Sequence, residues 1–137
     1  MDKPNVLFLC TGNSCRSQMS EAILRSRYGD RFNAYSAGTE PKGVHPMTLQ
    51  ALQESGIDTG GLWSKGVKEF LGKLHVHYLI IVCDDSASCP RIFPGMVERI
   101  LWKFDDPPAV GTIEKFREVR DQIAEQIESW VKSLEQN

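Results

Sequence analysis

In residues 6–17, Val6-Leu7-Phe8-Leu9-Cys10-Thr11-Gly12-Asn13-Ser14-Cys15-Arg16-Ser17, a short apolar run passes directly into a polar loop. The four apolar residues predict a strand that is covered on both faces, as strands of a parallel sheet are. A helix is predicted after the loop, over residues 16–28. Strand, loop and helix in this order are the first part of a βα unit.

The same alternation continues along the chain. Further strands are predicted over 32–36, 76–83 and 99–102, and further helices from Pro46 to Gly56, over 67–71 and over 113–134. The unbroken apolar run at 78–82 predicts a central strand. Strands separated by helices indicate an α/β fold with a parallel sheet, whose active crevice lies beyond the carboxyl ends of the strands. Those ends carry residues 10–16, 83–89 and 105–107.

Composition excludes several classes of protein. The chain has 137 residues, 41% of them hydrophobic and 25% charged, and its formal net charge is −2. We therefore expect one domain over residues 1–137 and no electrostatic binding of nucleic acid. No apolar run is long enough for a membrane span and the N-terminus lacks secretory features, so we expect a cytoplasmic protein. We also expect a monomer. Its four cysteines then indicate chemistry or packing.

The polar loop fits the spacing Cys-x5-Arg followed by a hydroxyl residue, which suits an oxyanion. Several N–H groups turn inwards between a strand and a helix N-terminus, and the helix dipole adds positive charge. Arg16 adds a planar fork of donors, and the same field favours a nucleophilic thiolate at Cys10. The alternative is an inert Cys10 beside a surface Arg16. The expected oxyanion-binding residues are Thr11, Gly12, Asn13, Ser14, Cys15, Arg16 and Ser17.

Individual loop residues have separate expected roles. Gly12 allows close approach of the backbone or a positive φ. Asn13 is expected to pin the loop through its amide, and Ser17 to hydrogen-bond the Cys10 sulfur. Cys15 is interpreted mainly as packing, and a disulfide with oxidised Cys10 is the alternative.

The loop resembles that of the thioredoxin-coupled arsenate reductases, which share their fold with low-molecular-weight protein tyrosine phosphatases. The similarity extends to Glu21, Tyr35-Ser36-Ala37-Gly38, Gly56-Ile57-Asp58, Ser64 and Trp102…Phe104-Asp105-Asp106-Pro107. Gln18 is similar to the reductase branch, because the phosphatase branch usually has proline there. The resemblance implies a three-layer αβα domain with a four-stranded parallel sheet, and reduction of arsenate to arsenite, with phosphate and sulfate as competing anions.

A second cysteine pair supports a redox reaction. Reduction of As(V) to As(III) takes two electrons, which two thiols can supply. The resemblance implies that Cys83 attacks Cys10, that Cys89 then attacks Cys83, and that thioredoxin reduces the resulting disulfide. Five residues separate Cys83 from Cys89, where the family usually has six. The alternatives are a buried Cys83 with an incidental Cys89, and glutaredoxin with glutathione as the reductant.

A carboxylic acid is needed to protonate the departing oxygen. The resemblance assigns this role to Asp106, and Pro107 restricts Asp106 to extended conformations that help to aim it. Asp105 is interpreted as a simple turn residue. Phosphatases of this fold carry aromatic residues after the Asp-Pro pair, whereas this chain has Pro108-Ala109-Val110, which favours a small inorganic anion.

No metal and no bound organic cofactor are expected. The family often holds a potassium ion through Asn13, Glu21, Ser36 and an acidic residue at position 65, but this chain has Lys65, whose ammonium is expected to bridge towards Glu21. His75 and His77 share one strand face and are interpreted as surface or edge packing, with a metal pair as the alternative.

Two other functions compete with the reductase. A phosphatase would use Cys10, Arg16 and Asp106 through a phosphocysteine and would not need Cys83 or Cys89. A non-enzymatic zinc domain would use the four cysteines, but its spacing is looser than that of structural zinc sites and leaves Arg16 without a role. Trp63, Trp102 and Trp130 are expected to be core or partly buried.

Overall fold

The computed structural model describes residues 3–70, 72–82 and 98–135. Four parallel strands form one sheet in the order β2-β1-β3-β4. The strands are β1 (Asn5–Cys10), β2 (Asn33–Gly38), β3 (Tyr78–Ile81) and β4 (Glu98–Leu101). The helices are α1 (Arg16–Tyr28), α2 (Pro46–Glu54), α3 (Pro107–Val110) and α4 (Ile113–Glu135), with a 3₁₀ turn at Val67–Glu69. The predicted α/β fold with a four-stranded parallel sheet is confirmed.

The two central strands place the site. β1 pairs with β2 on one side and with β3 on the other, so both of its edges are hydrogen-bonded. Residues Val6–Leu9 are fully buried, as their unbroken apolar run predicts. β1 ends at Cys10, opposite Gly38 in β2, and Leu9 pairs with Ile81 near the end of β3. The nucleophile candidate therefore sits at the carboxyl edge, in the middle of the sheet.

The helices follow local sequence signals. α1 has the predicted bounds, with Met19 and Ile23 fully buried. α2 begins at Pro46, which suits the first helical position, and the His45 side chain accepts a hydrogen bond from the Met47 N–H. The long α4 buries residues that recur at three- and four-residue spacings, namely Phe116, Val119, Ile123, Ile127 and Trp130.

Four expectations need correction. β3 covers Tyr78–Ile81 and is shorter than the predicted 76–83, and β4 begins and ends one residue before the predicted 99–102. The sequence Pro107-Pro108 starts the short helix α3, which was not predicted. Proline is tolerated in a first helical turn. Trp63 is 54% exposed, although core or partial burial was expected. No helix in the described part of the chain is long and apolar enough to cross a membrane.

Candidate active site

The carbonyl groups of the loop after β1 accept hydrogen bonds from the segment that follows β2. Thr11 O accepts from the Glu40 N–H (2.8 Å), Gly12 O from the Lys42 N–H (2.9 Å), and Ser14 O from the His45 N–H (3.0 Å). In a planar trans peptide the N–H points away from the carbonyl of the same unit. The N–H groups of the residues that follow Thr11, Gly12 and Ser14 therefore point into the loop. This arrangement suits an oxyanion at the start of α1.

The backbone of the loop departs from one expectation and adds an unpredicted contact. The positive φ lies at Asn13 (+47°) and not at Gly12. The close approach lies at Gly38, where a Cβ would stand 2.6 Å from Thr11 O and 2.8 Å from Asn13 N. Gly38 therefore lets β2 pack directly against the loop. Gly38 was expected only as part of the family resemblance, and the glycine itself was the available signal in the sequence.

Cys10 lies beside the hydroxyl that was predicted to contact it. Its Sγ is 3.2 Å from Ser17 Oγ, and both side chains are buried. Asn13 Nδ2 donates to Ser17 Oγ (2.8 Å) and to Ser36 Oγ (3.0 Å). Because Ser17 Oγ accepts from Asn13, its own proton is available to the sulfur. Such a hydrogen bond stabilises the thiolate.

Arg16 and Asp106 meet at the same edge of the sheet. Arg16 Nη1 donates to Phe104 O (3.1 Å), and Arg16 Nη2 lies 3.6 Å from Asp106 Oδ1. Asp106 has an extended backbone (φ −90°, ψ 102°), as a residue before proline prefers, and its side chain is 47% exposed. Asp106 therefore reaches the site from the end of β4 while remaining accessible to a ligand.

Asp105 points to a different partner. Its Oδ2 accepts from Lys115 Nζ at 2.7 Å, on the first turn of α4. This hydrogen bond and the lysine charge hold the pKa of Asp105 below its usual range. Asp105 was expected to be a simple turn residue, and its ion pair with Lys115 adds a contact with α4 that was not predicted.

Cys15 is buried, in agreement with a packing role. It is 2% exposed, and burial raises the pKa of its thiol to about 12, although a hydrogen bond with Thr48 acts in the opposite direction. A thiol with so high a pKa carries almost no thiolate at neutral pH. Cys15 is therefore a poor nucleophile in the folded protein.

Gln18 locks the amide of Asn13. Its Nε2 donates to Asn13 Oδ1 (2.8 Å) and to Trp63 O (2.8 Å), and lies 3.1 Å from Asn13 O. The Lys65 N–H also donates to Asn13 Oδ1 (2.7 Å). These two donors fix Oδ1 as the acceptor and leave Nδ2 facing Ser17. A proline at position 18 would have no donor for this purpose.

A buried ion pair lies behind the loop. Lys65 Nζ is 3.4 Å from Glu21 Oε1, in agreement with the expected bridge, and donates to Trp63 O (2.7 Å). Lys65 is 6% exposed and Glu21 is 3% exposed. Burial lowers the pKa of Lys65, and the Glu21 carboxylate opposes this effect. Arg25 Nη2 binds the second Glu21 oxygen at 2.8 Å.

The second cysteine pair falls outside the described residues, since neither Cys83 nor Cys89 is described. The segment that leads to them is described. The Val82 N–H donates to Leu9 O at 2.9 Å, so the residue before Cys83 is bonded to the residue before Cys10.

The histidine pair has a structural partner. The rings of His75 and His77 lie 5.0 Å apart, and His77 Nδ1 accepts from the Asn5 N–H (2.9 Å). Within residues 3–70, 72–82 and 98–135, no group of three or more His, Cys, Asp or Glu side chains is arranged to hold a metal ion.

Relatives of the chain are arsenate reductases. The arsenate reductase of Bacillus licheniformis is 42% identical over 141 residues, covering 98% of this chain and all of the relative. Arsenate reductase 2 of Staphylococcus epidermidis is 41% identical over 132 residues, covering 95% of this chain and 98% of the relative.

Solved structures give the same result. A structure described as an arsenate reductase in the phosphate binding state matches with a TM-score of 0.84 at 29% identity, covering 95% of this chain and 98% of that one. A thioredoxin-dependent arsenate reductase of Corynebacterium glutamicum matches with a TM-score of 0.69 at 28% identity, covering 96% of this chain and 63% of that one. The model of the low molecular weight phosphotyrosine protein phosphatase family matches residues 5–137, and the chain belongs to that family.

Proposed function

We propose that the protein is an arsenate reductase that uses Cys10 as its nucleophile. One observation carries the proposal: Cys10, Arg16 and Asp106 converge at one sheet edge in a chain that is 42% identical to a named arsenate reductase. The same convergence would also serve phosphoryl transfer through a phosphocysteine, so the substrate is inferred from the relatives and from the second cysteine pair.

The first step is a displacement at arsenic. The loop N–H groups and Arg16 hold arsenate, while Cys10 Sγ attacks the arsenic and a bond to one oxygen breaks. Asp106 gives its proton to that oxygen, which leaves as water. The hydrogen bond from Ser17 lowers the energy of the attacking thiolate.

The second step carries the two electrons. The Cys83 thiolate attacks Cys10 Sγ, the sulfur–arsenic bond breaks with its electron pair on arsenic, and arsenite leaves. The Cys89 thiolate then attacks Cys83, which returns Cys10 to the thiolate and leaves a Cys83–Cys89 disulfide. The bond between Val82 and Leu9 supports this order, because it brings the chain to Cys83 beside the strand that ends at Cys10.

Thioredoxin is the proposed reductant of that disulfide. The similarity to a thioredoxin-dependent arsenate reductase supports this partner. Glutaredoxin with glutathione would make one of the two resolving cysteines unnecessary, so the requirement for Cys89 separates the two reductants.

A phosphatase is not favoured as the main activity. The donors of Gln18 occupy the position where the phosphatase branch usually has proline. Pro107–Val110 forms a short helix without an aromatic side chain to flank an aryl substrate. Both features fit a small anion better than a phosphotyrosine.

The experiment is NADPH oxidation with thioredoxin and thioredoxin reductase, with and without arsenate. We expect arsenate-dependent turnover, which Cys10→Ser, Cys83→Ser and Cys89→Ser each abolish. Hydrolysis of an aryl phosphate is measured in parallel. Brisk hydrolysis without arsenate-dependent turnover, or full turnover in Cys83→Ser, would overturn the proposal.

A further inference from the structure

Two cations and one carboxylate are buried or half-buried behind the loop, and the residues of the reaction described above do not include them. Glu21 contacts Lys65 through Oε1 and Arg25 through Oε2. Lys65 has only 7% of its side chain exposed, whereas Arg25 has 50%. Burial of an ammonium is costly unless it is paired, and Glu21 is the carboxylate that pairs with Lys65.

Hydrogen bonds connect this pair to the nucleophile. Ser36 Oγ donates to Glu21 Oε1 at 2.7 Å, so its lone pairs accept from Asn13 Nδ2 at 3.0 Å. The same Asn13 nitrogen donates to Ser17 Oγ at 2.8 Å, and Ser17 Oγ lies 3.2 Å from Cys10 Sγ. Glu21, Ser36, Asn13, Ser17 and Cys10 therefore form a series of hydrogen bonds. In this series each donor and acceptor is fixed, and the Ser17 hydroxyl is left to donate to the Cys10 sulfur.

Lys65 holds the series at two points. Its ammonium lies 3.4 Å from the carboxylate that receives the Ser36 proton, and its backbone N–H donates to Asn13 Oδ1 at 2.7 Å. The first contact balances the charge at the start of the series. The second prevents the Asn13 amide from turning over.

We propose that Lys65 is a positioning residue, whose buried ammonium balances Glu21 and, through Ser36 and Asn13, holds the Ser17 hydroxyl as a donor to Cys10. The inference rests on the proposed function, because it concerns the nucleophile of the same site. Loss of the ammonium leaves Glu21 Oε1 without its cation, since Arg25 binds the other oxygen, and the fixed arrangement of Ser36 and Asn13 is weakened.

The test measures Cys10 directly and does not depend on arsenate reduction. In a background of Cys83→Ser and Cys89→Ser, the rate of Cys10 alkylation by iodoacetamide is followed by mass spectrometry from pH 5 to pH 10. The other titratable groups around the loop, Cys15, Arg16 and Asp106, are the same in all variants. Lys65→Met is compared with Lys68→Met, which changes an exposed lysine nearby.

We expect Lys65→Met to move the alkylation profile to higher pH and to slow the reaction at pH 7 by about threefold or more, while Lys68→Met has no effect. An open cavity of about 310 Å³ lies against Lys65 and is also lined by Trp63 and Phe70. Ethylammonium should therefore enter Lys65→Ala and restore part of the rate, which a purely structural role would not allow.

Folding is checked by circular dichroism. If Lys65→Met does not fold, Ser36→Ala breaks the same series without leaving a buried charge, and the same upward movement is expected. An unchanged profile in a folded Lys65→Met or in Ser36→Ala would overturn the inference. If Lys65→Met slows alkylation but the unmodified chain does not reduce arsenate, the proposed function is wrong and the role of Lys65 in positioning Ser17 still holds.

Discussion

Arg16 Nη2 lies 3.6 Å from Asp106 Oδ1, so the first turn of α1 and the start of α3 meet at one point of the sheet edge. A bound oxyanion would occupy the same neighbourhood, since the guanidinium offers donors to both. The carboxylate and the anion therefore compete for Arg16 unless Asp106 carries its proton. That competition fits a residue that acts as an acid and not as a ligand.

Asp106→Asn should lower kcat for arsenate reduction by about 100-fold and change KM little, because it removes proton transfer but not anion binding. Steady-state kinetics with thioredoxin and thioredoxin reductase would measure this. Asp105→Asn is the matched control, since Asp105 contacts Lys115, and its kcat should stay within about twofold. An equal loss in both variants would remove Asp106 from its role as the acid.

Gly38→Ala should damage the anion loop. The new methyl group would stand 2.6 Å from Thr11 O, so the loop or β2 must move, at an expected cost of about 1–3 kcal/mol in the free energy of unfolding. Phosphate binding by calorimetry should weaken as well. Gly66→Ala is the control, because its methyl group meets Pro41 at an ordinary 3.4 Å. Unchanged phosphate affinity in Gly38→Ala would contradict this reading of the contact.

Cys15 should be the unreactive cysteine of the loop. In the Cys83→Ser and Cys89→Ser background, mass spectrometry should find iodoacetamide on Cys10 and none on Cys15 up to about pH 9, because burial raises the pKa of Cys15 to about 12. Denatured protein provides the control, and both thiols should then react. Fast labelling of Cys15 in the folded protein would show that it is accessible.

The ion pair between Glu54 and Arg117 should contribute stability only above acidic pH. Two hydrogen bonds of 2.8 Å join α2 to α4, and they lower the pKa of Glu54 from 4.5 to about 2. Because the pKa is depressed in the folded state, the contribution is complete above pH 4.5 and is lost as pH falls towards 2. The Tm difference between the unmodified chain and Glu54→Gln should shrink over that range. The exposed Glu125→Gln provides the control, and a pH-independent difference would contradict the assignment.

Much of the fold is predictable because its signals are local. The apolar run of β1 and the periodicity of α1 and α4 lie within single segments, and all three elements form where they were predicted. The helix α3 was not predicted, because it is only four residues long and begins with two prolines, which usually interrupt a helix. Trp63 was misplaced because its exposure depends on tertiary packing.

The contacts of the site also differ in how far they could be predicted from the sequence. The contact of Ser17 with Cys10 was predicted from one loop and is confirmed, and the bridge from Lys65 to Glu21 was predicted from the family resemblance. The glycine at position 38 could not by itself reveal its packing against the loop, because the two meet only when β1 pairs with β2. The roles of Cys83 and Cys89 stay predictions.

The position of β1 between two partner strands has a consequence for how the molecule opens. The amides of Leu7, Phe8 and Leu9 are fully buried and belong to the part of the sheet that should exchange hydrogen for deuterium most slowly. β4 is an edge strand whose residues are largely exposed, and it leads to Asp106. In mild denaturant the region of Asp106 should therefore unfold before the anion loop. The protein should then pass through a form that still binds phosphate but no longer reduces arsenate.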